Sequence, residues 1–205
     1  MSAPHGFRQP TIAARVTLVA LGLIAGCRGD DAGAGAHPRA SDPVSADRRA
    51  EERANRMLDQ ARRCEQGAAA DRPAACQAAC ELGHSNSCHG AGVLREAAGD
   101  AAAAVPLYTR ACDGGSGLGC EAAARARRAG LTGPPDPTGA DRLDQRARFY
   151  LRVHCEQGHA TSCLVLGRLY TTSRGGPADG GSAATFRRRA CALGLAAACA
   201  APPAF

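Results

Sequence analysis

The 205-residue sequence contains no lysine and no tryptophan, and only 3% of it is aromatic. Without lysine, a Ser-x-x-Lys arrangement of nucleophile and base is excluded. The scarcity of aromatic side chains has a structural consequence. Hydrophobic residues make up 45% of the chain, but most are alanine. A buried alanine contributes far less than the roughly 1.5–3 kcal/mol of a buried Leu or Phe, so a core of this composition is thin and needs other support. Other absences narrow the chemistry. No apolar run reaches the ~18 residues of a membrane span. C-x-x-C-H for haem attachment is missing, and neither a glycine-rich phosphate loop nor a Ser-His-Asp constellation stands out.

Cysteine is abundant, and its spacing repeats. Cys80/Cys88, Cys112/Cys120, Cys155/Cys163 and Cys191/Cys199 are each separated by seven residues, and the first of each pair opens a C-x-x-G. Cys64/Cys76 has the same character with four extra residues inside it, and the sequence does not explain that stretch. Such spacing predicts a repeat array in an oxidising compartment, with cysteines committed to structure. Gly83, Gly115, Gly158 and Gly194 fall where a helix should end, since glycine adopts φ > 0 at little steric cost. The chain then reverses, and the partner cysteine begins the next helix. Closing a nine-residue loop in this way stabilises by roughly 2.6 kcal/mol in the chain-entropy model.

Successive second cysteines lie 32, 43 and 36 residues apart, a period that signals a helical solenoid. Each unit carries two helical stretches. The first holds a small residue four positions after its cysteine (Gly92, Ala124, Gly167), which allows close helix packing. The second holds Tyr108, Tyr150 or Phe186 four or five positions before the next cysteine, expected as the large core piece of its unit. Leu131–Thr138 accounts for most of the long unit. Asp100 and Asp141 are expected as N-caps or first-turn residues. Pro106 lies a turn or more into its helix and should kink it or mark a later start.

Eleven cysteines is an odd number, and Cys27 is the exception. Residues 1–15 carry Arg8 and Arg15 and no acid, followed by the apolar run 16–26. That is a secretory signal pattern. Ile24-Ala25-Gly26-Cys27 resembles a bacterial lipobox, which implies cleavage before Cys27 and a diacylglycerol on its sulfur. Residues 27–45 are then a tether rich in Gly, Pro, Asp and Ser. Cleavage removes Arg8 and Arg15, so the formal charge falls from +6 to +4. That is too small to argue for nucleic acid. Arg187, Arg188 and Arg189 are expected as a solvated helix face. His84, His89, His154 and His159 lie near cysteines, but the cysteine spacing repeats whether or not histidine is nearby. No metal site and no cofactor are expected.

The C-x7-C bridges, the LGRLY-type first helix at 166–170, and the R-A-C endings at 110–112 and 189–191 resemble the cysteine-rich branch of Sel1-like repeat proteins, relatives of the tetratricopeptide repeat. The resemblance covers 80–199 well and 46–79 poorly. It implies an all-α fold, an αα-solenoid coiled as a right-handed superhelix, over residues 46–205 with atypical ends. It also implies a binding scaffold or adaptor with a protein or peptide partner on the solenoid surface. The lipobox resemblance places it in the cell envelope on a lipid anchor, and Arg28, where inner-membrane retention would want Asp, tilts it towards the outer membrane. Some members of this branch carry a penicillin-binding or β-lactamase label, which makes a hydrolase the alternative reading. The missing lysine excludes the serine β-lactamase mechanism.

Overall fold

The computed structural model describes residues 43–200. Residues 1–26, expected as a signal segment, Cys27, expected as the lipid acceptor, and Ala201–Phe205 lie outside the described residues. Nine helices form among the described residues: α1 (Pro43–Gln66), α2 (Arg72–Glu81), α3 (Ser85–Ala97), α4 (Ala101–Asp113), α5 (Gly117–Ala129), α6 (Pro137–Glu156), α7 (Ala160–Thr171), α8 (Gly180–Ala192) and α9 (Ala196–Cys199). No strand occurs among them, and no helix is long and apolar enough to cross a membrane. Each helix packs on the next, and α3 also touches α5, which touches α7. The first helices of successive units therefore share a face. The architecture is an αα-solenoid whose units are α3–α4, α5–α6 and α7–α8.

Five disulfides join neighbouring helices: Cys64–Cys76, Cys80–Cys88, Cys112–Cys120, Cys155–Cys163 and Cys191–Cys199, with Cα separations of 4.3–4.8 Å. The last four link the second helix of one unit to the first helix of the next. The turn chemistry makes this possible. Gly83, Gly115, Gly158 and Gly194 have φ of +106°, +88°, +94° and +89°. Each donates its N–H to the half-cystine carbonyl three residues back, as Gly83 does to Cys80 at 2.9 Å. The following residue donates five back, as His84 does to Ala79 at 2.9 Å. This is a Schellman cap, and that same following residue is already the N-cap of the next helix. The stretched first bridge is explained too. A loop at 67–71 separates α1 from α2, so Cys64 needs the longer path to reach Cys76.

The half-cystines also fill the core. Among fully buried side chains, the large ones are Tyr108, Leu151, Leu166, Leu169 and Asp144, and half-cystines come next in size. Gly92 shows the close packing that the small residues allow: a Cβ there would lie 2.5 Å from the Tyr108 ring.

Two expectations need correction, and one of two alternatives for Pro106 is removed. Asp141 does not cap α6. That role belongs to Asp136, which accepts from the Gly139 N–H at 2.7 Å ahead of Pro137, whose fixed φ suits the first helical position. In the same helix, Tyr150 is only partly buried, and Leu151 fills the core position that Tyr108 fills in α4. Both lie four residues before their half-cystine, whereas in α8 that position is Arg187, and Phe186, five before, is partly buried against the core. Pro106 does not delay α4, which starts at Ala101 and runs through it. Burial of Ala104, Tyr108 and Ala111 on one face holds the helix across the missing N–H. Asp100 caps α4 as expected, accepting from Ala103 at 3.0 Å.

Candidate interaction surface

Arginines tie each unit to the one before it. Arg110 of α4 donates to the Glu81 carbonyl at 3.2 Å, and Arg189 of α8 donates to the Glu156 carbonyl at 3.1 Å. Both lie two residues before a half-cystine, and both meet the residue just after the preceding unit's half-cystine. In α6 the corresponding position is Val153. There Arg146 takes the role, donating to the Cys112 carbonyl at 3.1 Å and the Asp113 carboxylate at 3.2 Å. A guanidinium thus meets the last carbonyls of α2, α4 and α6, where the helix macrodipole is negative.

The face shared by α3 and α5 holds a polar cluster. Arg125 grips Glu96 with both terminal nitrogens, at 2.6 and 2.9 Å. The buried Tyr108 donates its hydroxyl to the same carboxylate at 2.5 Å. Bonding to Arg125, then to Tyr108, lowers Glu96 to about 2. Burial first, and then the Glu96 bond, pushes the Tyr108 phenol up. His89 packs 5.9 Å from the Tyr108 ring, and burial together with the Arg125 charge lowers it to about 4.

A second cluster centres on Asp144, which is 0% exposed. Arg128 of α5 reaches it at 2.7 Å, and Arg174, in the α7–α8 connection, at 3.1 and 3.3 Å. Arg174 also pairs with Glu121 at 3.3 Å, and Arg128 with Asp141 at 2.9 Å. Nearby, Arg148 lies 4.3 Å above the Tyr170 ring and donates to the Leu169, Gly176 and Pro177 carbonyls. Arg148 therefore fixes the connection that carries Arg174.

Two grooves open on this framework. The first, about 530 Å³, lies between α4, α5, α6 and the 130–136 loop. Its charges are internally matched: Arg127 pairs with Asp136, and Arg146 with Asp113. The second, about 550 Å³, is bounded by α5, α7 and α8, with Leu164, Val165, Leu169, Ala183 and Ala184 on its walls. Arg168 and Arg187 stand at this groove. Neither forms an ion pair among the described residues, and Arg187 donates only to the Ala200 carbonyl at 2.9 Å. The second groove is therefore apolar with unbalanced positive charge.

No family model matches this sequence, and no curated protein matches it. Solved structures do resemble it. One is a Sel1 repeat protein from Oxalobacter formigenes, 20% identical with a TM-score of 0.45, covering 75% of this chain and 62% of its own. Another is c5321, a protective antigen present in uropathogenic Escherichia coli strains that displays the same repeat fold. It is 19% identical with a TM-score of 0.49, and covers 78% of this chain and 36% of its own. The chain spans less than two thirds of either protein. The assignment rests on the chain's own helix pairs, each stapled to the next through a half-cystine, a capping glycine and a one-residue turn. The fold is an αα-solenoid whose disulfide-stapled helix pairs resemble Sel1-like repeats.

Within this Sel1-like array, the histidines near cysteines have structural positions. His84 caps α3, its Nδ1 accepting from the Ser87 N–H at 3.3 Å and lying 2.8 Å from the Ser87 hydroxyl. That pair has the look of a nucleophile and base. Yet Ser87 is 1% exposed and lines neither groove, so the contact serves as a helix cap. His154 and His159 meet ring to ring at 5.9 Å. No group of three His, Cys, Asp or Glu residues suited to a metal occurs among the described residues. The Arg187–Arg189 run divides its labour: Arg189 caps α6, Arg188 is exposed, and Arg187 faces the apolar groove. It is therefore more than the solvated face expected of it. The R-A-C endings held the signal for two of the three capping arginines, because Arg110 and Arg189 stand at the same offset from their half-cystines.

Proposed function

We propose that this protein is an exported binding scaffold that takes an acidic, partly apolar segment of a partner protein into the groove between α5, α7 and α8. The observation that carries this reading is the pairing of apolar walls with Arg168 and Arg187, two guanidiniums without carboxylate partners among the described residues. A segment carrying Leu or Phe beside Asp or Glu satisfies both features, and charge complementarity favours it over a basic or neutral one. Five disulfides support an oxidising compartment. The sequence Ile24-Ala25-Gly26-Cys27 supports attachment through a lipid on Cys27, and Arg28, in place of the Asp of inner-membrane retention, supports the outer membrane as the site.

The test uses synthetic amphipathic peptides and a chain spanning residues 28–205. Acidic peptides should bind at least tenfold more tightly than their charge-reversed versions, and Arg168→Glu with Arg187→Glu should invert that preference. Equal binding of both peptide sets, or of wild type and variant, contradicts the reading. Nitrocefin turnover that survives purification and chelation contradicts a purely binding role.

A further inference from the structure

Four of the five bridges are out of reach of solvent, and one is not. The eight half-cystines from Cys64 to Cys163 are at most 4% exposed, whereas Cys191 is half-buried and Cys199 is exposed. The spacing is the same in this last bridge, but the setting differs. Its second helix, α9, has four residues and buries only Ala198. A single turn of helix does not hold itself together in water. What holds α9 is the bridge, the packing of Leu195 and Ala198 against Cys155, Cys163 and Ala190, and the Arg187 bond to the Ala200 carbonyl. A shallow depression beside the bridge is lined by Arg187, Arg188, Cys191 and Cys199.

We propose that Cys191–Cys199 is a thiol–disulfide exchange site that reacts with a dithiol and, on opening, uncaps this end of the array. A thiolate of the dithiol attacks the exposed Sγ of Cys199, forming a mixed disulfide. The Cys191–Cys199 bond breaks, and its electron pair leaves on the Cys191 sulfur, which then takes a proton from water. The second thiolate of the dithiol attacks its own partner sulfur and expels Cys199, which is protonated in turn. Two electrons and two protons pass from the dithiol to the bridge, and the dithiol ends as a disulfide. Because α8 ends at Ala192, its terminal carbonyls oppose a thiolate at Cys191. Arg187 and Arg188, on the same depression, offset that field and favour departure of the thiolate. Once open, α9 is released and the cluster around Cys155, Cys163 and Ala190 is bared, while the four buried bridges keep the array folded.

The experiment treats the chain spanning residues 28–205 with dithiothreitol, quenches with iodoacetamide at timed intervals and maps the labelled peptides. Cys191 and Cys199 should be alkylated at least tenfold sooner than any other cysteine, with most helical circular dichroism retained. Labelling of all ten together, or of a buried bridge first, overturns the proposal. With reduced glutathione as the probe, the trapped adduct should sit on Cys199; an adduct on Cys191 alone overturns the direction of attack. Arg187→Gln with Arg188→Gln should slow opening several-fold, and an unchanged rate overturns the role given to the guanidiniums.

Discussion

Arg189 of α8 donates to the carbonyl of Glu156 at 3.1 Å, one residue past the half-cystine near the end of α6. The same bond joins Arg110 to Glu81 one unit earlier. A covalent staple and a guanidinium cap thus act on the same helix ends. Replacing either arginine with alanine should destabilise by about 1 kcal/mol, the worth of a charge at a helix C-terminus plus one charge-assisted hydrogen bond. Urea melts of R110A and R189A check this, and a loss below the noise in both would remove the caps from the account.

Asp144 should matter far more than Asp113, although both are carboxylates held by arginine. Asp144 is fully buried between Arg128 and Arg174, whereas the Asp113 side chain is 64% exposed. Asp144→Asn removes the carboxylate that Arg128 and Arg174 share and should cost about 2–3 kcal/mol, the worth of charge-assisted hydrogen bonds at a buried acceptor. Asp113→Asn breaks a surface pair and should cost under about 1 kcal/mol. Equal effects would show that Asp144 does not organise the α5, α6 and α7–α8 contact.

Acid should weaken the fold in two steps. The partly buried His89 stays neutral in the folded chain until about pH 4, while the unfolded chain binds that proton from about 6.5. Stability from His89 is therefore intact above 6.5, declines as pH falls towards 4 and levels off below. Glu96 adds a second step: its contribution is present above about 4.5 and is lost as pH falls to about 2. His154 is also lowered, by burial and by His159, so its contribution too declines as pH falls below 6.5. Melts across pH 7 to 4 should therefore be less steep for His89→Gln than for wild type. An unchanged slope would show that His89 is solvated.

Gly92 and Gly83 should fail for different reasons when changed to alanine. At Gly92 the new methyl would lie 2.5 Å from the Tyr108 ring, an overpacking that should cost about 1–3 kcal/mol. At Gly83 there is open space, and only the positive φ is lost, which should cost about 1 kcal/mol. Relief of the first defect, but not the second, by Tyr108→Leu would confirm the assignment.

What the sequence made legible was local. The glycine three residues after each first half-cystine, and the partner eight after it, fix a helix end, a turn and a staple within one short segment, so both the repeat and the bridges could be read directly. The Asp136 cap was obscured because Asp141 stands nearby and both suit a first turn; only Pro137 separates them. Leu151 was hidden by the more conspicuous Phe149 and Tyr150, of which Phe149 is 65% exposed. The charged clusters were beyond local reading altogether. Glu96 and Arg125, Asp144 and Arg174, and Asp113 and Arg146 lie 29, 30 and 33 residues apart. Those distances approach the repeat period itself, so pairing acid to arginine one period apart is the pattern that would have found them.

The central claim is that half-cystines join each helix only to its immediate neighbour, which makes the array a chain of staples. Disulfide mapping of the unreduced protein tests it most directly. Proteolysis and mass spectrometry should recover Cys64–Cys76, Cys80–Cys88, Cys112–Cys120, Cys155–Cys163 and Cys191–Cys199, with no free thiol among the ten. Any bridge between non-neighbouring helices, or a free thiol at one of the four buried pairs, would contradict the account.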